Sequence, residues 1–375
     1  MASTEVSRER RAAAAKAERG SAQRGSRAMI FICGPSRSGT AMLRSSLNAH
    51  PDVHVTLETH YFDDLRVRLE NKLERPLEGA DLDLALRYFL VLGHRPYGHG
   101  GDPEQSRFTA AELLAAAQAG GGTSDAMFAG FCKLEAESVG KSIVGEKTPR
   151  HVFRIDEMLA VFPDARVVVM TRDPRAIAAS YRDWRNQGGF DLEQDPGHVA
   201  ELEKEAQRTH ASYHPATIAF LWRAQMNAAS AARRRYGGNR VWIQRYEDLV
   251  AQPGVELARI CTWLGLEFAP SMLSVPVHNS SYTSFDRDGG ITTEAVSRWT
   301  EKLGSGEIRL VERVCGRLMT ELNYPRERLT GGRVAALRLW LRWPQAVVSA
   351  ISANRARSGS IGPYVWRRLR LAIGR

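Results

Sequence analysis

Residues 29–51 read MIFICGPSRSGTAMLRSSLNAHP, and this stretch predicts a strand, a glycine-containing loop and a helix. The apolar run at 29–33 is typical of a strand that is buried on both faces of a parallel sheet. Gly34 and Gly39 permit the sharp turn that follows, because glycine adopts backbone angles that other residues resist. A helix then begins near Ala41, behind short polar side chains that can cap its first turn. We expect the rest of the fold to be built around this unit.

The loop between the strand and the helix is predicted to bind an anion. Where such a loop enters a helix, backbone N–H groups and the positive end of the helix dipole point to one place. A phosphate is the expected anion. The loop lacks the G-x-x-x-x-G-K-[ST] pattern of nucleoside triphosphate sites, because Thr40 follows Gly39 without a lysine between them. Arg37 supplies the positive charge instead, and an ordinary strand-to-helix turn is the alternative.

Further strands are predicted at residues 52–57, 142–144, 166–170 and 240–244, each a short apolar run. Helical patterns separate them, at residues 61–73, 82–92, 109–119, 125–139, 149–162, 174–184, 199–236 and 255–264, and one more follows at 307–322. Strands that alternate with helices form a parallel sheet with helices on both sides. The sequence therefore predicts an α/β, three-layer sandwich with a central parallel β-sheet.

The net charge of +10 lies mostly in the two ends of the chain. Residues 1–28 carry seven Arg or Lys and three Glu, and residues 333–375 carry nine Arg and no acidic residue. The body between them is slightly acidic. A nucleic-acid-binding face needs clustered cations on the folded domain, so no nucleic-acid partner is expected.

The cysteine content and the first residues of the chain indicate in which cellular compartment the protein is expected. The four cysteines lie far apart and form no C-x-x-C pair, which indicates neither a zinc site nor a disulfide framework. No secretory signal peptide is predicted, because Lys16 and Glu18 interrupt the early alanine run. The cytoplasm is the expected location.

Several spaced motifs resemble one enzyme family. They are R-S-G-T at 37–40, A-H-P-D-V at 49–53, E-T at 58–59, GEKTP at 145–149, FPDARVVVMTRDPRAIAASY at 162–181, YEDLV at 246–250 and the segment around Trp299. In this order they resemble the sulfotransferases, most closely the tyrosylprotein and related bacterial branch. The resemblance covers about residues 29–325 and implies the P-loop-NTPase-like sulfotransferase fold, with 3′-phosphoadenosine 5′-phosphosulfate as the sulfuryl donor.

The resemblance implies a donor site made of several segments. The loop would hold the 5′-phosphosulfate through Pro35, Ser36, Arg37, Ser38, Gly39, Thr40 and Ala41. The family often has a second threonine at the position of Ala41, where this chain has no hydroxyl. Arg172 and Ser180 would contact the 3′-phosphate, and their separation places Ser180 two turns into the following helix. Tyr246, Ser280 and Ser281 would complete the site.

The resemblance also assigns the catalytic roles. Sulfuryl transfer, like phosphoryl transfer, is an in-line displacement in which charge builds on the leaving phosphate. Arg37 and Lys147 would neutralise this charge, so no metal is expected. Glu58 matches the glutamate that acts as general base in the tyrosylprotein branch. Other branches use histidine, so His60 is the alternative base.

Two other functions fit parts of the sequence. A small-molecule kinase could use the same fold, although the Gly-Lys-Ser/Thr element of such enzymes is missing. A non-enzymatic, membrane-associated nucleotide-binding protein is the second alternative. The acceptor stays open among hydroxyl groups of small molecules, glycans, lipids and peptides.

Three segments are predicted along the chain: a disordered basic arm at 1–28, the sulfotransferase domain at 29–325 and a basic amphipathic tail at 326–375. The arm has almost no large apolar residue and cannot offset its ordering entropy. In the tail, Leu337, Trp340 and Leu341 share a helical face, and Pro344 interrupts the apolar run. Residues 333–375 are thus a poor transmembrane span that could lie on an anionic membrane surface. The alternative is a helix whose Trp face packs on the body or on a second subunit.

Overall fold

The computed structural model describes residues 28–98, 100–183, 207–208, 210–274 and 291–353. In these residues five strands form one sheet, and they are β1 Ile30–Cys33, β2 Val53–Thr56, β3 Ile143–Lys147, β4 Arg166–Thr171 and β5 Val241–Arg245. All neighbouring strands are parallel, in the order β2-β3-β1-β4-β5. The predicted strands and their parallel arrangement are confirmed.

The helices alternate with the strands as the sequence predicted. They are α1 Thr40–Asn48, α2 Leu65–Arg68, α3 Gly79–Leu92, α4 Ala110–Gln118, α5 Ser124–Glu137, α6 Ile155–Val161, α7 Pro174–Asp183, α8 Pro215–Tyr236, α9 Tyr246–Ala251, α10 Pro253–Leu264, α11 Trp299–Lys302, α12 Ser305–Glu321 and α13 Arg333–Ala353. Short 3₁₀ segments lie between some of them, at Tyr61–Asp63, Glu70–Lys72, Pro103–Gln105, Pro149–Phe153 and Pro270–Leu273.

Both faces of the sheet are covered, and alternate residues of each strand point to opposite sides. Phe31 and Cys33 of β1 belong to the larger core, which Phe89 of α3, Phe128 of α5 and Trp222 of α8 help to form. The neighbouring residues of β1 belong to the second core, whose helical members come from α1, α9 and α10. The predicted three-layer sandwich is therefore confirmed.

Three predicted helices are broken. The predicted helix at 199–236 is interrupted at His214, whose backbone is extended with φ of −156°, so α8 begins at Pro215; residues 199–206 and 209 of this prediction lie outside the described residues. Residues 61–73 form two 3₁₀ turns around the short α2, because His60 adopts a left-handed backbone with φ of 52° and Asp64 leaves the helical region. The predicted helix at 149–162 is a 3₁₀ segment followed by α6, and the two are separated at Arg154, whose φ is −122°.

The third strand is longer than predicted. Glu146 and Lys147 were expected in a turn after residue 144, but they pair with Phe31 and Ile32 of β1 and end β3. Lys147 therefore projects from a strand in the middle of the sheet, directly beside the start of the glycine-containing loop.

The tail helix α13 packs on the body, as one of the two predictions for this segment stated. The indole Nε1 of Trp343 donates to Oγ1 of Thr217, 3.2 Å away, and the Trp343 ring stacks on Phe220 with centroids 4.8 Å apart. The helix continues through Pro344 instead of ending there. Among the described residues no helix combines the length and apolar character needed to cross a bilayer. The cytoplasmic location and the membrane contact stay predictions.

Candidate active site

The loop after β1 has a backbone that only particular residues tolerate. Gly34 has φ of 127°, and a Cβ atom at this position would lie 2.1 Å from the backbone oxygen of Met170 in β4. Gly39 has φ of 87°, and its Cβ would lie 2.6 Å from the ring of Tyr246. Glycine is thus required where the loop passes between the end of β4 and the start of α9.

Within the described part of the chain, no side chain caps the first N–H groups of the helix that follows the loop. Gly39 occupies the N-cap position of α1, no side chain caps it, and the first turn contains no acidic residue. Ser38 is fully buried, and its hydroxyl donates to the backbone oxygen of Pro35 at 2.5 Å. This arrangement fits an anion at the helix N-terminus.

Arg37 connects the loop to the next strand-to-helix unit. It has φ of 69°, an uncommon backbone for a residue other than glycine. Its Nε donates to Oγ of Ser180 in α7 at 3.0 Å. The sequence placed these two residues on different anionic groups of one ligand, and the structure brings them into direct contact.

Arg172, just after β4, is buried in the same place. Its guanidinium donates to the backbone oxygens of Arg37 at 3.2 Å and Ala295 at 2.5 Å, and it lies 4.4 Å from the centre of the Tyr246 ring. Its Nε is buried, and no described residue accepts a hydrogen bond from it. A buried donor left unpaired in a cationic group is costly, so this nitrogen fits an anionic ligand.

Glu58 and Lys147 form an ion pair at the same edge of the sheet. The Lys147 Nζ lies 2.5 Å from Oε1 of Glu58, and the lysine side chain is 6% exposed against 39% for the glutamate. Burial opposes the charged carboxylate, but the Lys147 ammonium and the His60 hydrogen bond outweigh it and lower the pKa of Glu58 to about 2. In this state the carboxylate is ionised but already neutralised by a cation.

His60 lies between two carboxylates. Its Nε2 is 3.3 Å from Oε2 of Glu58, and its Nδ1 is 3.2 Å from Oδ1 of Asp63. Both contacts are hydrogen bonds only if the ring carries two protons. Consistent with this, although burial works against the charged form, the two carboxylates raise the pKa of His60.

A second imidazole extends this network into the core. His151 and Glu146 are both fully buried, with Nδ1 3.0 Å from the Oε2 of Glu146, and the other ring nitrogen lies 3.5 Å from Asp63. Burial opposes the imidazolium, but Glu146 and Asp63 raise the pKa of His151 to about 9. Thr59 and Thr148 donate to the other oxygen of Glu146. The network thus holds the segment after β2 against the end of β3.

Sequence reasoning missed Asp63, Glu146 and His151. The signal was present as polar residues at 58, 60 and 63, just after a strand, and as a glutamate and a histidine around Pro149. It was overlooked because residues 61–73 read as an amphipathic helix, in which Asp63 would be an ordinary surface acid.

A cleft of about 360 Å³ opens beside Glu58. Its lining combines apolar, cationic and anionic side chains with backbone, from Thr56, Leu57, Glu58, Thr59, Leu92, Gly93, His94, Arg95, Pro96, Arg107, Phe131 and Glu135. Arg107 and Glu135 pair with each other at 2.5 Å. The cleft has room for a small acceptor or for part of a larger one.

The remaining predicted site residues fall into two groups. Pro35 of the loop and Thr40 at the start of α1 are buried, while Ser36 of the loop and Ala41 of α1 are partly exposed. Ser280 and Ser281 lie outside the described residues, so their placement stays a prediction. Within the described ranges, no group of three or more His, Cys, Asp or Glu side chains is arranged so that it could hold a metal ion.

Comparisons with known proteins give the family. The model of the Sulfotransferase family matches residues 29–270. The nodulation protein NoeE of Sinorhizobium fredii (strain NBRC 101917 / NGR234) is 24% identical over 305 residues, which are 79% of this chain and 66% of NoeE. Carbohydrate sulfotransferase 2 of Mus musculus is 27% identical over 193 residues, which are 44% of this chain and 35% of that protein. The chain thus spans less than two thirds of the length of these relatives.

Two solved structures are also similar. The sulfotransferase domain of the Synechococcus PCC 7002 olefin synthase is 18% identical with a TM-score of 0.48, covering 79% of this chain and 94% of that domain. The sulfotransferase domain from the curacin biosynthetic pathway is 16% identical with a TM-score of 0.45, covering 80% of this chain and 99% of that domain. Because the family model matches well over half of the residues, this chain belongs to the sulfotransferase family.

Proposed function

We propose that the protein transfers a sulfuryl group from 3′-phosphoadenosine 5′-phosphosulfate to an acceptor hydroxyl. The observation that carries this proposal is the pairing of two anion-binding features in one place. The uncapped N-terminus of α1 with Arg37 suits a phosphosulfate. The Nε of Arg172, which has no hydrogen-bond partner among the described residues, suits a second phosphate. The contact between Arg37 and Ser180 joins the two features, which suits a donor whose ribose carries anionic groups at both its 3′ and 5′ positions.

The proposed reaction is a single displacement. The acceptor oxygen attacks sulfur while its proton passes to Glu58, and the bond between sulfur and the leaving phosphate oxygen breaks. The negative charge that develops on this oxygen is met by Lys147 and Arg37. The chain supplies the base and the cations from its own side chains.

Glu58 is favoured over His60 as the base by the contacts of the imidazole. A ring that donates to Glu58 and Asp63 at once has no lone pair left to accept the acceptor proton. His60 then orients Glu58, leaving Oε1 as the oxygen that faces Lys147. When the donor phosphate draws the lysine away, the pKa of Glu58 rises and the carboxylate becomes a stronger base.

A glycan hydroxyl is the acceptor that we favour. One relative is named a carbohydrate sulfotransferase, and the cleft beside Glu58 offers several hydrogen-bonding groups of the kind that hold a polyhydroxylated ligand. Hydroxyl groups of lipids, peptides and other small molecules are the alternatives. The kinase alternative is weaker, because no lysine follows Gly39 in the loop.

The donor assignment is tested by nucleotide binding. Isothermal titration calorimetry should give Arg172→Ala a loss of roughly ten- to a hundredfold in affinity for 3′-phosphoadenosine 5′-phosphate, as expected when a charged hydrogen bond is removed. The affinity for adenosine 5′-phosphate, which lacks the 3′-phosphate, should change little. Arg166→Ala, at the opposite end of the same strand, is the matched control and should leave both affinities unchanged. Equal losses for both nucleotides in Arg172→Ala would remove Arg172 from this role.

A further inference from the structure

Helix α13 has two unlike faces. One face packs on the body, where Trp343 contacts Thr217 and Phe220 of α8. Near its start the helix lies so close to α12 that a Cβ on Gly306 would be 2.6 Å from the Cβ of Ala335. The helix is therefore a docked element of the domain, and its other face is presented in a fixed orientation.

The outward face is apolar. Val334, Leu337, Leu341 and Val348 are each 58–69% exposed. Trp340 lies at the edge of this face: it is 39% exposed, and its ring centre is also 6.1 Å from that of Phe220 in α8. Their spacing of three, four and seven residues forms one stripe along the helix. Of the eight large hydrophobic side chains that are exposed in the described residues, these are five. Such a concentration on one element indicates a contact surface rather than scattered apolar residues.

The charge around this stripe has one sign. Arg333, Arg338 and Arg342 lie on the exposed side of α13, which contains no acidic residue. The sequence from 354 to 375 adds six arginines and again no acid. An apolar stripe flanked only by arginines is complementary to a surface that is anionic and has an apolar interior.

We propose that the outward face of α13, formed by Val334, Leu337, Trp340, Leu341 and Val348 with the three arginines, docks flat on an anionic phospholipid bilayer. A second copy of the chain is a poorer occupant, because a two-fold contact through this face would bring its arginines against their own copies. The opposite face of α13, which packs on the body, also prevents the helix from rotating around its axis. The helix thus contacts the membrane without leaving the domain.

The position of α13 places the bilayer near the active-site edge of the sheet. Helix α8 ends four residues before Arg240, next to the start of β5, so its first turns lie toward the carboxyl ends of the strands. Trp343 contacts these first turns through Thr217 and Phe220. A membrane-bound enzyme would therefore hold its cleft close to acceptors at the lipid surface, a consequence that rests on the proposed function.

Vesicle flotation of the full-length protein tests the docking. At low salt the protein should float with vesicles that contain phosphatidylserine and stay behind with pure phosphatidylcholine. The double variant Arg338→Gln/Arg342→Gln should lower the partition coefficient about thirtyfold, and Leu337→Ser/Leu341→Ser should lower it by at least as much. All four side chains are exposed, so the variants should retain the wild-type melting temperature.

The control is Val255→Ser, which removes an apolar side chain of similar exposure (54%) on α10. It should float like the wild type. Equal binding to both kinds of vesicle, or unchanged binding of the two double variants, would overturn the proposal. So would a dimer in sedimentation that Leu337→Ser/Leu341→Ser dissolves, since the face would then bind a second copy. Because flotation needs no donor, these outcomes are independent of the proposed sulfuryl transfer.

Discussion

Replacing Lys147 with methionine should lower the turnover number on the order of a thousandfold or more. The ammonium is the nearly buried cation at the end of β3, and methionine fills similar space without the charge. The barrier rises because the leaving phosphate loses a cation that its developing charge requires. Turnover is measured as labelled sulfate transferred from the donor to a glycan acceptor.

The same variant should change the titration of Glu58. Without its nearest cation, the carboxylate binds a proton more readily, so its pKa rises from about 2 toward the ordinary value of 4.5. The acidic limb of kcat/KM for the donor, which reports ionisations of the free enzyme, should therefore move to higher pH. The control is Lys141→Met, just before the start of β3. Lys141 donates to the backbone oxygen of Asn48, so its replacement should not affect the reaction. An unchanged turnover in Lys147→Met would contradict the assigned role.

Replacing Glu58 with glutamine should lower turnover on the order of a hundredfold to ten-thousandfold, the usual effect of removing a general base. The amide cannot accept the acceptor proton, although it occupies the same space. Binding of 3′-phosphoadenosine 5′-phosphate should be retained, because Arg37 and Arg172 are unchanged. A combination of calorimetry for the nucleotide and the transfer assay for turnover separates the two effects.

Glu137→Gln provides the control, since this exposed glutamate of α5 pairs only with Lys133 four residues away among the contacts described. It should leave turnover unchanged. His60→Ala should lower turnover less than Glu58→Gln if His60 only orients the carboxylate. Near-normal turnover in Glu58→Gln together with an inactive His60→Ala would move the base to His60.

The sequence predicted the sheet well because buried parallel strands are short apolar runs with loops at their ends. The apolar stretch at 166–170 was sufficient by itself to predict a strand. This assignment also predicted where the loop residues that follow the strand would lie. Direct contacts such as that between Arg37 and Ser180 were not predicted, since they join segments 143 residues apart. The family is confirmed, whereas its tyrosylprotein branch and the individual site residues stay predictions.

Two features could not be read from local patterns. The polar residues of the network are visible in the sequence, but the pairing of Asp63, His151 and Glu146 depends on how three segments pack, and no periodicity in one segment reports it. The tail helix was predicted to have Leu337, Trp340 and Leu341 on one face, but whether this face would pack on the body stayed open; the two leucines face outward, and Trp343 contacts the body. A helix that is apolar over much of its circumference does not reveal which side the body will take.

The ion pair between Glu58 and Lys147 has a consequence for the kinetic order of the reaction. While the pair is closed, an acceptor that arrives first meets a neutralised carboxylate and gains little from hydrogen bonding to it. We expect the donor to bind first and the acceptor second, so acceptor affinity should rise when 3′-phosphoadenosine 5′-phosphate is present. Random binding order, with equal acceptor affinity in the presence and absence of 3′-phosphoadenosine 5′-phosphate, would show that the ion pair does not determine the order of binding.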